Sequence, residues 1–293
     1  RGFITDHFNN VLADNDRVFQ VHLDLDQIQD FNNTIFKLKN ILELSNNELK
    51  KIYREKERLK PWDTLVASDN LNWTQFSKLN LYLHELEGVK PVVSSSRFYP
   101  YKDDLVHVVG YVGAASQKDI ERDDIIKENL VPGLKVGKSG IEFAKEHQLI
   151  GRYGIKRYEV NSSGKRISQI DHIKETQGEK IKLTVDLEVQ QLAQELLKGK
   201  AGSISAMDIY TGEIIAMASS PTYDPNKFTH GIGHKDWGEI RDDPLKPLVN
   251  KSIAGLYSPG STFKPLVALA ALEFGTIDPE RPILCKGHKH PYE

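Results

Sequence analysis

The spacing of apolar and polar residues changes several times along the chain, and each change marks an expected element. Between Arg17 and Leu23 the two alternate, the period of a strand with one buried face. Asp26 to Leu44 reads as a helix, and Ser45 with Glu48 makes a capping box that opens a second, highly charged helix to about Lys60. A third helix is expected from about Thr74 to Glu87, stopped by Gly88. Further on, Tyr158-Glu159-Val160 and Ile167 flank a polar hairpin turn, Asn161-Ser162-Ser163-Gly164-Lys165. Near Lys180 the pattern begins afresh, and a domain boundary is placed there. Leu183-Thr184-Val185-Asp186 leads into a helix from Leu187 to Leu197, after which Ser203–Ile209 and Glu213–Ala218 pair across Tyr210-Thr211-Gly212 as a hairpin. The last apolar run, Leu266 to Phe274, is rich in Ala and Leu and reads as a buried helix closed by Gly275.

Composition narrows the picture. A chain of 293 residues has room for two domains, taken here as 1–180 and 181–293. A formal charge of −2 gives no reason to expect a nucleic acid, and 39% hydrophobic content is that of an ordinary globular protein. The single cysteine, Cys285, excludes an intramolecular disulfide framework. No apolar run approaches the roughly 18 to 20 residues of a membrane span. The charged Lys50 to Lys60 stretch fits a solvated helix face or a partner-binding surface.

Candidate chemistry concentrates in Tyr257-Ser258-Pro259-Gly260-Ser261-Thr262-Phe263-Lys264-Pro265. Pro265 lacks an N–H and fits only the first turn of the helix that follows, so the helix begins close to Ser261. Residues three apart share a helix face, which brings the Lys264 amine under the Ser261 hydroxyl. The positive end of the helix favours an oxyanion there, and a partly desolvated lysine can act as the base a serine nucleophile needs. Spacing alone is weak, since about one Ser-x-x-Lys is expected by chance in a chain of this length. Ser162-Ser163-Gly164-Lys165 is such a second match, but a turn offers neither the shared face nor the dipole. Gly137-Lys138-Ser139 suggests the end of a phosphate-binding loop, yet Pro132 stands where that loop needs glycine, and no buried strand is expected ahead of it. Cys285-x-x-His288-x-His290 offers zinc-type ligands without a fourth, which also describes ordinary surface residues.

Several motifs follow one another in a recognisable order. These are Arg1-Gly2-Phe3-Ile4-Thr5-Asp6 with Leu12-Ala13, His107-Val108-Val109-Gly110-Tyr111-Val112-Gly113, Gly137 to Glu142, Met207-Asp208 with Thr211 to Met217, and Pro247-Leu248-Val249-Asn250-Lys251-Ser252 ahead of the Ser261 segment. Together they resemble the class B penicillin-binding proteins, the peptidoglycan D,D-transpeptidases. Glu87-Gly88-Val89 and Arg97-Phe98-Tyr99-Pro100-Tyr101 resemble the elongation subtype most. The resemblance implies an α+β chain: an elongated non-catalytic pedestal over 1–180, then the first part of a transpeptidase domain with a central antiparallel sheet. It implies Ser261 as nucleophile and Lys264 as its base, acting on peptidoglycan stem peptides and acylated by beta-lactams. No cofactor is required by that chemistry, and Cys285 becomes a candidate ligand of a structural zinc.

The same resemblance implies docking to a rod-shape scaffold protein and a membrane glycosyltransferase, with no nucleic acid. It also implies a periplasm-facing ectodomain tethered to the inner membrane by an N-terminal anchor ahead of Arg1. Val131-Pro132-Gly133 is a plausible hinge of the pedestal. Three departures stand out. His7-Phe8-Asn9-Asn10 replaces the usual Arg-Asn-Gly turn, where Asn can adopt the left-handed conformation. Lys251 stands where arginine is usual, which keeps the charge and loses the bidentate fork. The Ser-x-Asn and Lys-Thr-Gly or Lys-Ser-Gly motifs do not appear after Lys264, so the transpeptidase part is read as incomplete. A serine beta-lactamase or D,D-carboxypeptidase would share Ser-x-x-Lys, and a non-enzymatic docking module is the remaining alternative.

Overall fold

The structure is a computed structural model that describes residues 1–61, 63–131, 133–160 and 166–282. The chain divides into two compact units, Arg1–Ala254 and Gly255–Glu293. It is mixed α+β, as expected. In the first unit β1 (Ile4–Thr5) turns into the long strand β2 (Val11–Asp24). Asn9 takes the left-handed turn position at φ 71°, while the Asp6 carboxylate accepts the Phe8 and Asn10 amides at 2.9 and 2.7 Å. The departure from the usual turn is therefore accommodated by asparagine's tolerance of this region.

Three helices follow: α1 (Phe31–Leu42), α2 (Asn46–Lys56) and, after strand β3 (Thr64–Leu71), α3 (Trp73–Leu81). The first is shorter than the pattern predicts, because Asp30 caps it and Glu43 ends it in the left-handed conformation. The Ser45–Glu48 capping box forms as expected, but the helix stops at Lys56 instead of Lys60. The third gives way after Leu81 to a 3₁₀ turn at Leu83–Glu85 before Gly88. Leu38, Leu42, Ile52 and Leu79 pack with Val21, Leu23 and Leu65 in one core. Each fully buried aliphatic side chain there contributes about 1.5–3 kcal/mol.

Strand β4 (Val89–Phe98) lies antiparallel to β2, with Asp14 opposite Phe98 and Leu23 opposite Val89. Helix α4 (Val106–Val109) and β5 (Val112–Ala114) come next, then the short α5 (Gln117–Arg122) and α6 (Asp124–Glu128), β6 (Lys135–Gly137), α7 (Gly140–Ala144) and α8 (Glu146–Leu149). Val136 and Gly137 of β6 are buried, so the Gly137-Lys138-Ser139 turn does follow a buried strand, contrary to expectation. It is no phosphate cradle: Gly137 N–H donates to the Glu146 carboxylate at 2.8 Å, and Lys138 is paired with Asp119 at 2.5 Å. The antiparallel hairpin of β7 (Ile155–Val160) and β8 (Arg166–Ile173) bears out the expected flanks, while its turn, with Ser162 and Lys165, lies outside the described residues, as does Pro132. β9 (Ile181–Lys182) runs parallel to β1 and closes a five-stranded sheet ordered β3-β2-β1-β9, with β4 also on β2.

Beyond it, Asp186 caps α9 (Leu187–Leu196), which packs on the antiparallel pair β10 (Gly202–Met207) and β11 (Ile214–Ser220). The turn between these strands is the expected one, with Gly212 at φ 75° and Asp208 N–H bonded to the Glu213 carbonyl at 2.9 Å. Helices α10 (Asn226–Thr229), α11 (His234–Arg241) and α12 (Lys251–Ala254) complete the first unit. The second unit contains α13 (Lys264–Glu273). Among the described residues no helix is long and apolar enough to cross a membrane.

Candidate active site

Two of the motifs interlock through their glycines. A Cβ on Gly110, at φ 81°, would lie 1.9 Å from the Ser139 carbonyl oxygen, and one on Gly140 would lie 2.6 Å from the Gly110 nitrogen. Only glycine permits that approach. Beneath it lies a buried ionic network. Glu142, with 0% exposure, accepts Arg97 Nε at 2.5 Å and Arg1 Nη2 at 2.9 Å. Arg1 also reaches Glu146 through both guanidinium ends, at 2.9 and 2.7 Å. Tyr99 Oη donates to Glu142 at 3.3 Å and accepts the Val112 amide at 3.0 Å. Arginine's fork makes such shared, charge-assisted bonding possible. The motifs containing Arg1, Arg97 and Glu142 were legible in the sequence; their meeting was not.

The Pro247–Ser252 segment is held beside this core. Asn250 caps the short α12: its side-chain oxygen accepts Ser252 N–H at 3.1 Å, and its amide donates to the His107 carbonyl at 3.1 Å. Lys251 N–H donates to Ser219 Oγ at 2.9 Å, and Ser252 Oγ donates to the Ala218 carbonyl at 3.0 Å. The Pro247–Ser252 stretch is thus clamped between β11 and α4. The His107 ring stands edge-on to Tyr223, with centroids 5.8 Å apart. Burial pushes its pKa down to about 4, and the Lys251 charge adds to the shift, outweighing the carbonyls of Pro221 and Pro247. The ring is therefore neutral near pH 7. Lys251 Nζ bonds the Lys246 carbonyl at 3.1 Å, a single contact that an ammonium supplies as well as a guanidinium.

In the second unit, Gly260–Phe263 form a single 3₁₀ turn that passes directly into α13, with Pro265 in its first turn as expected. Gly260 enters at φ 54°, and Lys264 N–H bonds back to the Ser261 carbonyl. Side chains at i and i+3 eclipse in a 3₁₀ turn, so Ser261 and Lys264 stand one above the other along the axis. Both are exposed, and neither side chain takes a hydrogen-bond partner among the described residues. The helix closes with the expected glycine cap: Gly275 sits at φ 65°, with Gly275 N–H on Leu272 at 3.1 Å and Thr276 N–H on Ala271 at 2.9 Å.

Burial of that helix is not borne out. Leu266, Val267 and Leu269 are 56%, 54% and 65% exposed, since no described element of the second unit packs over them. Cys285, His288 and His290 lie outside the described residues. Among the described residues no group of three His, Cys, Asp or Glu side chains is placed to hold a metal ion.

The fold and its ordered motifs define a class of protein. Residues 1–183 match the penicillin-binding protein dimerisation domain and residues 202–293 the penicillin-binding protein transpeptidase domain, so the chain belongs to the penicillin-binding protein family. Within that family it is 34% identical over 279 residues to the peptidoglycan D,D-transpeptidase MrdA of Escherichia coli K12, an alignment covering 94% of this chain and 44% of that protein. The MrdA of Acinetobacter baumannii is 32% identical, over 99% of this chain and 43% of that protein. The chain therefore spans under half the length of these relatives. Among solved structures, the complex between penicillin-binding protein PBP2 and MreC from Helicobacter pylori superposes with a TM-score of 0.83 at 28% identity, covering 99% of this chain and 55% of that one.

Proposed function

We propose that the protein is a peptidoglycan D,D-transpeptidase of the cell-elongation type, with Ser261 as nucleophile and Lys264 as its base. The observation that carries the reading is the placement of Ser261 and Lys264, three residues apart, where a 3₁₀ turn enters a ten-residue helix, within a transpeptidase-domain match. The Ser261 oxygen attacks the carbonyl carbon of the penultimate D-Ala of a stem peptide, and its proton passes to the Lys264 amine. Collapse of the tetrahedral adduct breaks the amide bond. The terminal D-Ala leaves with that proton, and an ester on Ser261 remains. An amine of a neighbouring stem peptide then attacks the ester, forming the cross-link and returning the hydroxyl. Beta-lactams enter the same path and stop at the ester.

Neither a beta-lactamase nor a carboxypeptidase reading accounts for the dimerisation domain over residues 1–183. A docking role for that domain is compatible with catalysis. The H. pylori relative forms a complex with MreC, which supports a rod-shape scaffold protein as a partner here; a membrane glycosyltransferase would be a second. We place the protein at the inner membrane, facing the periplasm where stem peptides are. Cys285 as a ligand of a structural zinc rests on residue type alone. The test is D-alanine release from a stem pentapeptide by the full-length protein. Ser261→Ala and Lys264→Ala should each lower it by at least about 10³-fold, and turnover retained in either variant would refute the assignment.

A further inference from the structure

A cavity of about 550 Å³ opens between α2 with the turn after it, β3, the approach to β6 and the end of α10. That volume is typical of a small-molecule site. Leu59, Val66, Leu130, Leu134 and Phe228 give it an apolar wall. At one end, polar side chains from separate elements converge. Asp69 of β3 accepts Lys135 Nζ at 3.3 Å and His230 Nδ1 at 3.3 Å. Ser96 Oγ lies 3.3 Å from Lys135 Nζ and 3.2 Å from His230 Nε2.

The order Asp69, His230, Ser96 is that of a hydrolase triad, but Ser96 is only 4% exposed and Lys135 occupies its oxygen, so the cluster is built to hold charge rather than to attack. Across the wall Lys51, Arg58 and Lys135 stand against Glu55, Asp63 and Asp69, and the bias toward an anion comes from how these charges are paired. Lys51 also acts on both Asp69 and Lys135, which sets three basic groups around one carboxylate. The Lys51 and Arg58 side chains, both in the wall, take no hydrogen bond or ion-pair contact among the described residues. Besides Asp69 the wall holds two carboxylates: Asp63, which accepts the Lys60 backbone amide at 2.8 Å, and Glu55. Burial pushes the Lys135 ammonium below its usual range despite Asp69, so its charge is under-compensated. Thr229, 2% exposed in the same wall, has a hydroxyl without a partner among the described residues.

We propose that this cavity binds a small amphiphilic anion, with a carboxylate or phosphate head on Lys51 and Lys135 and an apolar body against Val66, Leu130, Leu134 and Phe228. Phe228, Thr229 and His230 belong to the transpeptidase match and the other named residues to the dimerisation match, so such a ligand bridges the two.

The test is calorimetric titration of the full-length protein with octyl phosphate and with octanoate, against octanol and inorganic phosphate. At least one amphiphilic anion should bind saturably and at least tenfold more tightly than either control; the stronger of the two identifies the head group. Lys51→Ala removes a head-group contact, and Leu130→Trp, at a half-exposed position, fills the cavity. Each should weaken binding at least tenfold with unchanged thermal unfolding. Octanol binding as tightly as the anions, no binding of either anion, or binding that both variants leave intact would overturn the proposal.

Discussion

Glu142 holds two arginines whose only other described acidic partner is Glu146, and its carboxylate is wholly out of water. Removing it leaves buried guanidinium charge uncompensated, which costs about 3–5 kcal/mol where a buried pair is broken. Glu142→Ala should lower the unfolding free energy by that order in urea titration; a loss below about 1 kcal/mol would show the network to be solvated. His107 gives a second residue-level expectation. Its pKa falls from 6.5 to about 4 on folding, so below 6.5 the unfolded chain binds a proton that the native ring refuses. Stability is full above pH 6.5 and declines as pH drops toward 4. Between pH 7 and 4.5 the protein should lose about 2 kcal/mol more than His107→Phe, whose ring does not titrate; equal losses would mean the imidazole is not desolvated. Asn9 was legible at this scale, because left-handed tolerance is a property of one residue type. The pairing of Arg97 with Glu142, or of Asp69 with His230, was not, because only the folded sheet brings those positions together.

At the scale of elements, local signals read well wherever a side chain itself makes the boundary. The Ser45–Glu48 box, Pro265 and Gly275 act on their own neighbours, and each marks the element end it was expected to mark, while the hairpin forms as expected with its first strand ending at Met207, two residues before Ile209. Other helix ends were overrun. Asp30 caps α1 although the apolar pattern runs back to Asp26, and good helix formers continue past Lys56 and Leu81, so propensity does not mark those ends. Interlocking of α4 with the turn into α7 yields a prediction of its own. Gly110→Ala puts a methyl 1.9 Å from the Ser139 carbonyl at a φ of 81°, so the two motifs must part. Thermal unfolding should fall by several degrees, corresponding to at least about 1–3 kcal/mol of strain. An unchanged melting temperature would mean the approach is not required.

At the scale of the whole chain, the order of motifs marks the family in the sequence itself, since motifs spread from Arg1 to Pro265 rarely coincide by chance. The α13 helix shows where that reading stopped. Its residues are apolar on every side, the pattern of a core helix, yet its leucines are exposed because pattern records what a face requires and not what covers it. Ser261 and Lys264 stand at the mouth of that helix, and the central claim is that this serine forms the acyl-enzyme. The most direct measurement is intact-mass spectrometry of the full-length protein after benzylpenicillin, followed by peptide mapping. The account predicts one covalent adduct, on the peptide carrying Ser261. An adduct on the peptide carrying Ser162, or no adduct at all, would contradict it.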